Sequence, residues 1–564
     1  MGMETPVTGS NPQSKAINPS LKIENRGIPS RLLTDWVLLV GFSGFLFFFG
    51  LAYFGLIGAD EPRYAQVARE MLARHDWVTP TLGGRSWLEK PPLYYWQAML
   101  AYRLFGVSDW AARLPSAADA TLLVIATYLF LKKLRPGFHL DGALMTASCA
   151  GVIGFARAAS TDMPLAATFT VALLAWYVWY EKGTKSWLAL SYASLALATL
   201  AKGPVAPFLA AVIIGVFALC KGDHRLLLRT LWVPGVLLFI AIALPWYVLV
   251  QMAAPEFFRV FILEHNLARF GTNLYHHKEP FWYYAPVVLL GLVPWTVFAC
   301  AAAVETVRAW WNERQQMFDC EDALNAFLVI WLIVPVVFFS ISQSKLPGYI
   351  LPALPAGTLL LAEYVRHRFT EERGRPGWLA AISHAVVAAG PLVAALMIQY
   401  LVLQHHLPLG KALGISMSFA AVLALGITLT LRSQAGWRAL RLVTLVPVVL
   451  AVAALLRLGS PALDSTLSVR PLAQDISHLE TKQLPLAVFH TSREIEFGLA
   501  FYRNQVIERY ESGQVPAGEH LVVAPEGSQA IVAKQVNGRR VSYLGSFAPQ
   551  GLDYYWVEAA KVAP

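Results

Sequence analysis

Residues 36–58, WVLLVGFSGFLFFFGLAYFGLIG, run without a charge and then break into ADEPRY at 59–64. An uncharged apolar stretch of this length can cross the hydrocarbon layer of a bilayer, about 30 Å thick, as a helix. The same reading extends along the chain, because comparable apolar blocks recur as far as residue 457. Of 564 residues 56% are hydrophobic, and the mean hydropathy is +0.49. A water-soluble chain of this size fills a core without becoming so apolar, so lipid is the solvent. Eighteen tryptophans and thirty phenylalanines suit a molecule with many interfacial and lipid-facing positions. The net charge of +9 does not argue for nucleic acid: the basic residues fall in short clusters between apolar blocks, where membrane orientation accounts for them.

Thirteen spans are expected, at 34–57, 113–131, 140–156, 163–180, 186–200, 203–220, 231–251, 281–303, 324–340, 347–363, 379–402, 412–431 and 439–457. Several are shorter than the roughly 20 residues that a crossing takes. A further block, PPLYYWQAMLAYRLFG at 91–106, has a still shorter apolar part and is expected as an interfacial helix. The basic clusters check this count. Lys132, Lys133 and Arg135 follow the second span, Lys182 and Lys185 the fourth, Lys221, Arg225 and Arg229 the sixth, and Arg308 and Arg314 the eighth. Arg366, Arg368, Arg373 and Arg375 follow the tenth, and Arg432, Arg438 and Arg441 the twelfth. With Lys15, Lys22, Arg26 and Arg31 of the amino-terminal tail, every cluster lies on one side, which the positive-inside rule makes cytoplasmic. A crossing at 91–106 would break that agreement.

The expected architecture is a polytopic α-helical membrane protein. Residues 1–33 form a cytoplasmic tail and interfacial approach without a cleavage signal. Residues 34–457 form the membrane domain, with outer loops at 58–112 and 252–280, and residues 458–564 form a soluble domain on the outer side. Cys149, Cys220, Cys300 and Cys320 all precede that domain, so disulfides do not organise it. Within it PLAVFHT (485–491), HLVVAPE (520–526) and RVSYLG (540–545) read as strands, and SREIEFGLAFYR (492–503) as a helix. Thr491 is the expected cap of this helix, with Glu494 closing a capping box; a cap at Ser492 would put Ile495 at the third position and lose the reciprocal bond. The result is a small α/β domain without a catalytic pattern.

Each polar group at the outer edge has an ordinary role when taken alone. Asp60 and Asp162 both precede a helical pattern with a proline just inside, as helix caps do. Glu89 and Lys90, in WLEKPPLYYW, sit among aromatics as interfacial anchors would. The collective pattern is less ordinary, because the outer side gathers Asp60, Glu61, Arg63, Glu89, Lys90, Arg157, Asp162, Lys202, Glu264, His265, Arg269, Lys278 and Lys345. Orientation gives little reason for Arg157, Lys202 or Lys345 on that side. Ionised groups at membrane depth are costly unless they face a wet or polar cavity. Cations beside carboxylates suit a phosphate, with the carboxylates placed for chemistry or for recognising a cation. The loop EFFRVFILEHNLARFGTNLYHHKEPFWYY (256–284) mixes aromatic and basic residues and suits the headgroup layer. The expected ligand is an amphiphile, a lipid phosphate entering sideways from the bilayer.

Four motifs carry a resemblance. DEPRYAQVAREM (60–71), LEKPPLYYW (88–96), TDMP (161–164) and SKLPGYILPALPA (344–356) resemble the bacterial dolichyl-phosphate-mannose-protein mannosyltransferase-like family, and within it the lipid A 4-amino-4-deoxy-L-arabinose transferase branch. The resemblance covers about residues 30–460. It implies a C-type glycosyltransferase fold, with amphipathic helices in the first outer loop and a soluble outer domain. It also implies a polyprenyl-phosphate-sugar donor at the outer leaflet of the bacterial inner membrane. For this branch it implies transfer of aminoarabinose from undecaprenyl phosphate to a lipid A phosphate, and a part in polymyxin resistance. Carried over residue by residue, it makes Asp60 and Asp162 the catalytic acids and gives the donor phosphate to Arg63, Lys90, Lys345 and Tyr349. Arg269 joins them by its place in the long outer loop. No cofactor is required; Glu89 and His265 could meet across loops as oxygen and nitrogen ligands of a divalent ion such as zinc, but two ligands are too few and water, substrate or another residue would have to complete the set.

The expected reaction is a single displacement with inversion at the anomeric carbon, undecaprenyl phosphate leaving. A hydroxyl acceptor would need Asp60 as its base. An already ionised lipid A phosphate would leave Asp60 and Asp162 to orient it or to pair with the donor's ammonium group. Three other readings compete. One is transfer of another polyprenyl-phosphate-linked sugar to a protein or glycan. Another is a lipid-linked substrate transporter, which sparse charges inside the spans and the lack of an obvious inverted repeat argue against. The third is a nonenzymatic envelope scaffold.

Overall fold

The computed structural model describes residues 32–268, 279–312, 322–370, 374–402 and 408–560. Helix α1 (Leu32–Ser43) continues through a π-helical turn to Phe48. The first outer connector holds α2 (Asp60–Ala73), a small hairpin of β1 (Thr81–Leu82) and β2 (Arg85–Ser86), and α3 (Leu93–Phe105). The bundle continues with α4 (Asp109–Leu134), α5 (His139–Ala147), α6 (Ala150–Ala156), α7 (Asp162–Lys182), α8 (Lys185–Lys202) and α9 (Val205–Lys221). After α10 (Arg225–Thr230) come α11 (Val233–Ala253), α12 (Tyr284–Gly291), α13 (Thr296–Asn312) and α14 (Asp322–Ile341). The last helices of the bundle are α15 (Leu354–Thr370), α16 (Trp378–Val402), α17 (Leu409–Arg432) and α18 (Leu440–Ala454).

Among the described residues eight helices are long and apolar enough to cross a membrane, or nine if the bent pair α12–α13 is one span. The first and sixth expected spans fall on shorter apolar helices, Leu33–Phe48 and Val205–Lys221. The block at 91–106 is helical as α3, which buries Tyr94, Tyr95, Ala98 and Met99 while leaving Leu100, Leu104 and Phe105 exposed. The basic connectors gather at one end. There Arg135 lies 3.5 Å from Glu181 and 3.6 Å from Glu363, Arg441 pairs with Asp141 at 3.1 Å, and His139 lies 3.2 Å from Asp35. Each of these pairs joins connectors that the charge pattern assigns to the same side.

Three expected spans are not continuous helices, and that at 140–156 divides into α5 and α6. The segment 281–303 splits into α12 and α13, whose axes differ by 116°. Pro294 brings no N–H and cannot continue the helical ladder. The Val293 carbonyl instead accepts from the Ala150 amide at 2.8 Å, one of the unpaired donors at the start of α6. Gly151 allows the two breaks to meet, since a Cβ there would stand 3.2 Å from the Gly291 Cα. The first apolar block stops being helical at Phe48, well before residue 57. Its later carbonyls go to two arginines: Arg157 donates to Leu46 (3.1 Å) and Gly50 (3.0 Å), and Arg113 to Leu51 (2.7 Å), Phe54 and Gly55 (2.8 Å each). Irregular backbone here is tolerable because these arginines take up its carbonyls, even where Phe49 and Tyr53 are exposed.

After α19 (Ser460–Leu467) and α20 (Arg470–Leu479) the chain forms a five-stranded sheet in the order β4–β3–β5–β7–β6. The strands are β3 (Leu486–Val488), β4 (Glu508–Arg509), β5 (His520–Pro525), β6 (Val541–Phe547) and β7 (Leu552–Val557). β3 runs parallel to β4 and β5, and the other pairs are antiparallel. Helices α21 (Arg493–Arg503) and α22 (Gln529–Gln535) complete the domain. The expected capping box is absent: Ser492 is the N-cap, it makes no side-chain cap bond, and the Thr491 hydroxyl is buried without a partner. Ser492 is still extended (φ −69°, ψ 159°), so the helix starts one residue late and Ile495 takes the position the glutamate needed.

The domain is docked on the first outer connector. The Tyr502 hydroxyl accepts from the Leu56 amide at 2.6 Å and donates to Asp109 at 2.8 Å. Arg470 ties Asp109 (2.9 Å) to Asp464 (2.7 Å), and Asp464 accepts from the Gly55 amide at 2.7 Å. Gly55 has no room for a side chain, because a Cβ would lie 2.3 Å from the Ser468 hydroxyl and 2.4 Å from that of Tyr502.

Candidate active site

The first half of the site is built on α2. Asp60 and Glu61 occupy its first turn, where free N–H groups and the helix dipole favour negative charge. Neither caps it: the N-cap is Ala59, with no side-chain cap bond. Glu61 turns inward, accepting from the Arg113 guanidinium at 2.6 Å and from the amides of Ile57 (2.9 Å) and Ala159 (2.8 Å). Asp60 turns outward; its side chain is 56% exposed and pairs at 2.5 Å with Arg63, which is only 11% exposed. Arg63 lies against the rings of Tyr64 and Trp87, with centroids at 5.1 and 5.2 Å. Burial works against its charge, but Tyr64, Asp60 and Glu89 outweigh burial and raise its pKa. Glu89 in turn faces His265, Oε1 to Nε2 3.8 Å, bringing the long outer loop to the same place. Lys90 follows directly and is half-buried before α3.

The second half lies where α7 and α8 end. Asp162 is the first residue of α7 and makes no cap bond either, the N-cap being Thr161. Its carboxylate is bonded by Lys202, the last residue of α8. The Lys202 ammonium also stands 4.7 Å from the centre of the Tyr349 ring. Gly348 backs onto Asp162 so closely that a Cβ would be 2.6 Å from its Oδ1. Tyr284 fixes this loop: its hydroxyl exchanges bonds of 3.2 Å with both the carbonyl and the amide of Leu346. Lys345 is buried, donates to the Ser342 carbonyl at 2.6 Å, and lines a groove of about 680 Å³ with Phe281, Val336, Val337 and Ile341.

Tyr64 joins the halves. Its phenol is held well above the ordinary tyrosine range, first by burial, then by Asp60, with Asp162 adding to the effect and Arg63 opposing it. One side chain therefore feels both carboxylates. Tyr95, wholly buried with its hydroxyl unpartnered, lies near Arg63, Glu89 and Asp60; burial above all raises its pKa. The remaining outer charges sort differently. Arg157 is spent on carbonyls of the first block, and Glu264 forms an exposed pair with Arg259 at 2.5 Å. Arg269 and Lys278 lie outside the described residues. Three groups escaped the sequence reading: Arg113, Tyr64 and Tyr284. Arg113 left a signal, an arginine at the outer end of a span, where orientation does not ask for one. The two tyrosines left none among so many interfacial aromatics.

Glu89 and His265 meet, but among the described residues no group of three histidine, cysteine, aspartate or glutamate side chains gathers around an ion-sized space. A catalytic zinc site takes three protein ligands, so the described pair falls one short.

Helical bundle, amphipathic outer connector and docked sheet domain together have the C-type glycosyltransferase fold. Over 94% of this chain and 99% of the other, the structure superposes with a TM-score of 0.73 on ArnT from Cupriavidus metallidurans bound to undecaprenyl phosphate, at 24% identity. Residues 89–248 match the dolichyl-phosphate-mannose-protein mannosyltransferase family. A protein of Pseudomonas savastanoi pv. phaseolicola named undecaprenyl phosphate-α-4-amino-4-deoxy-L-arabinose arabinosyl transferase is 30% identical over 65% of this chain and 67% of its own length. A Pseudomonas fluorescens protein of the same name, numbered 1, is 32% identical over 60% of this chain and 61% of its own. The chain belongs to this arabinosyl transferase family. Its match spans about three fifths of the length of such curated relatives.

Proposed function

We propose that the chain transfers 4-amino-4-deoxy-L-arabinose from undecaprenyl phosphate to a phosphate of lipid A. The reaction takes place at the periplasmic face of the bacterial inner membrane, with the amino terminus cytoplasmic and the carboxy-terminal domain periplasmic. One observation carries the reading. Two carboxylate–cation pairs, Asp60–Arg63 at the start of α2 and Asp162–Lys202 at the ends of α7 and α8, have carboxylates that both push up the pKa of the buried Tyr64. Membership of the arabinosyl transferase family supports the sugar and its carrier.

In this reading Arg63, Lys90, Arg269, Lys345 and Tyr349 bind the donor phosphate, and the groove beside Lys345 takes the isoprenoid. As the sugar departs, its carrier's phosphate gains negative charge, which preorganised cations in a partly dry cleft stabilise. They accelerate transfer only so far as they hold the departing oxygen better than the ground-state diester. The acceptor phosphate attacks the anomeric carbon from the opposite face and inverts it. Already ionised, it needs no base, so Asp60 and Asp162 pair with the donor's ammonium group and hold the sugar; a hydroxyl acceptor would instead make Asp60 the base. No step is routed through an ion at Glu89 and His265.

The test is incubation of the purified protein in lipid with lipid A and, separately, undecaprenyl-phosphate-linked aminoarabinose or a neutral sugar on the same carrier. Mass measurement of both lipids should show one aminoarabinose gained by lipid A and free undecaprenyl phosphate released. Unchanged lipid A, or transfer from the neutral sugar alone, would overturn the reading.

A further inference from the structure

We infer that Phe497, on α21 of the carboxy-terminal domain, is a positioning residue for the donor phosphate, acting through Arg63. The inference rests on the reading that Arg63 binds that phosphate. The Arg63 guanidinium carbon lies 5.1 Å from the centre of the Tyr64 ring, 5.2 Å from Trp87 and 5.7 Å from Phe497. Two of these rings belong to the first outer connector. The third comes from a different domain, more than four hundred residues along the chain.

An arginine side chain is long and freely rotating, and it binds an anion well only when its plane is held. Rings within about 6 Å of a guanidinium attract its charge and restrict it, leaving its N–H edges for anions. Here the boxed Arg63 side chain is 11% exposed, one edge faces Asp60, and its Nε is buried without a hydrogen-bond partner. The cage is therefore closed on its faces while donor capacity remains unused.

Phe497 cannot drift away from this cage, because α21 is locked on both sides. One turn on, Phe501 is buried in the cluster of Ala65, Ala68 and Tyr102, and its carbonyl accepts from Arg69 at 3.0 Å. Tyr502 bonds Leu56 and Asp109. On the far side, Gly498 sits so close to Val469 that a Cβ would lie 2.6 Å from its Cγ2. The sheet domain thus supplies part of the wall of the site, and its docking sets the aim of a phosphate-binding arginine.

The test uses the full-length protein in nanodiscs and undecaprenyl phosphate as the probe, with affinity read by native mass spectrometry. Phe497→Leu, or Phe497→Met should the leucine variant not fold, removes the ring and keeps the bulk; Phe497→Tyr keeps the ring. The ring-less variant should bind about tenfold more weakly, the size of one cation–π contact, and Phe497→Tyr should bind as wild type. In an Arg63→Gln background the loss of the ring should have no further effect. Wild-type affinity in the ring-less variant, or an equal loss with and without Arg63, would overturn the inference, as would a wild-type protein that does not bind undecaprenyl phosphate. The expected binding pattern in a protein that transfers no aminoarabinose would leave the inference standing and overturn the proposed reaction alone.

Discussion

Asp60 and Glu61 leave the first turn of α2 in opposite directions, one side chain 56% exposed beside Arg63 and the other 7% exposed against Arg113. Adjacent acids so placed separate chemistry from stability. Arg113 gathers three carbonyls and Glu61 into one buried knot, so Glu61→Ala would leave a buried guanidinium without its counter-ion. Removing one partner of such a pair costs about 3–5 kcal/mol. Thermal unfolding in detergent should show Glu61→Ala strongly destabilised, while Asp60→Asn, which loses one half-exposed ion pair, falls by no more than about 1 kcal/mol. Equal melting of the two variants would contradict the division. The sequence displayed both acids and marked their motif, but which faced inward depended on Arg113, which reads there as the opening residue of a span.

The loop at 344–356 and the start of α7 meet with no slack. Gly348 is the point of contact, and Gly348→Ala would drive a methyl group into the Asp162 carboxylate. The displaced carboxylate would lose Lys202, and a misplacement of about 1 Å near the reacting groups costs on the order of 100-fold in rate. Steady-state transfer should fall by that order with the melting temperature little changed; normal turnover would mean that Asp162 does not depend on this contact. The SKLPGY motif was legible as a motif, though not the reason for its glycine, which lies in another helix. Hydropathy likewise located apolar blocks but not their interruptions. Residues 49–57 are apolar, yet two arginines take up their carbonyls outside any helix, and a count of apolar residues cannot distinguish that from a span. At Val293–Pro294 the proline was visible, whereas the Ala150 amide that takes up the freed carbonyl was not.

Across the whole molecule, the basic clusters foretold which connectors share an end, and Arg135 with Glu181 and Glu363 and Arg441 with Asp141 bear that out. These pairings were legible because charge clusters between apolar blocks mark the ends of helices without any knowledge of packing. The sheet domain was harder to read. Its edge strand β4 spans only Glu508–Arg509, and its docking depends on single contacts such as Tyr502 with Leu56. That domain also carries a pH dependence. His520 is packed against the Tyr510 hydroxyl (2.5 Å), the Gly518 carbonyl (2.8 Å) and Arg539 (3.3 Å). Burial lowers its pKa, the Gly518 carbonyl opposes this, and Arg539 adds to the lowering. Below the ordinary histidine value of about 6.5, the unfolded chain takes up a proton that the folded ring resists. Stability contributed here is complete above that pH and is lost as the pH falls below it. The domain's thermal transition in the full chain should drop between pH 7 and 5, and His520→Gln should flatten the slope; an unchanged slope would remove His520 as its origin.

The central claim is that the Asp60–Arg63 and Asp162–Lys202 pairs act on one lipid-linked sugar, and the Asp60→Asn protein tests it most directly. With wild-type folding verified, turnover of undecaprenyl-phosphate-linked aminoarabinose in the presence of lipid A should fall by on the order of 100-fold, the size of losing one preorganised electrostatic contact. Turnover within a few-fold of wild type would contradict the account.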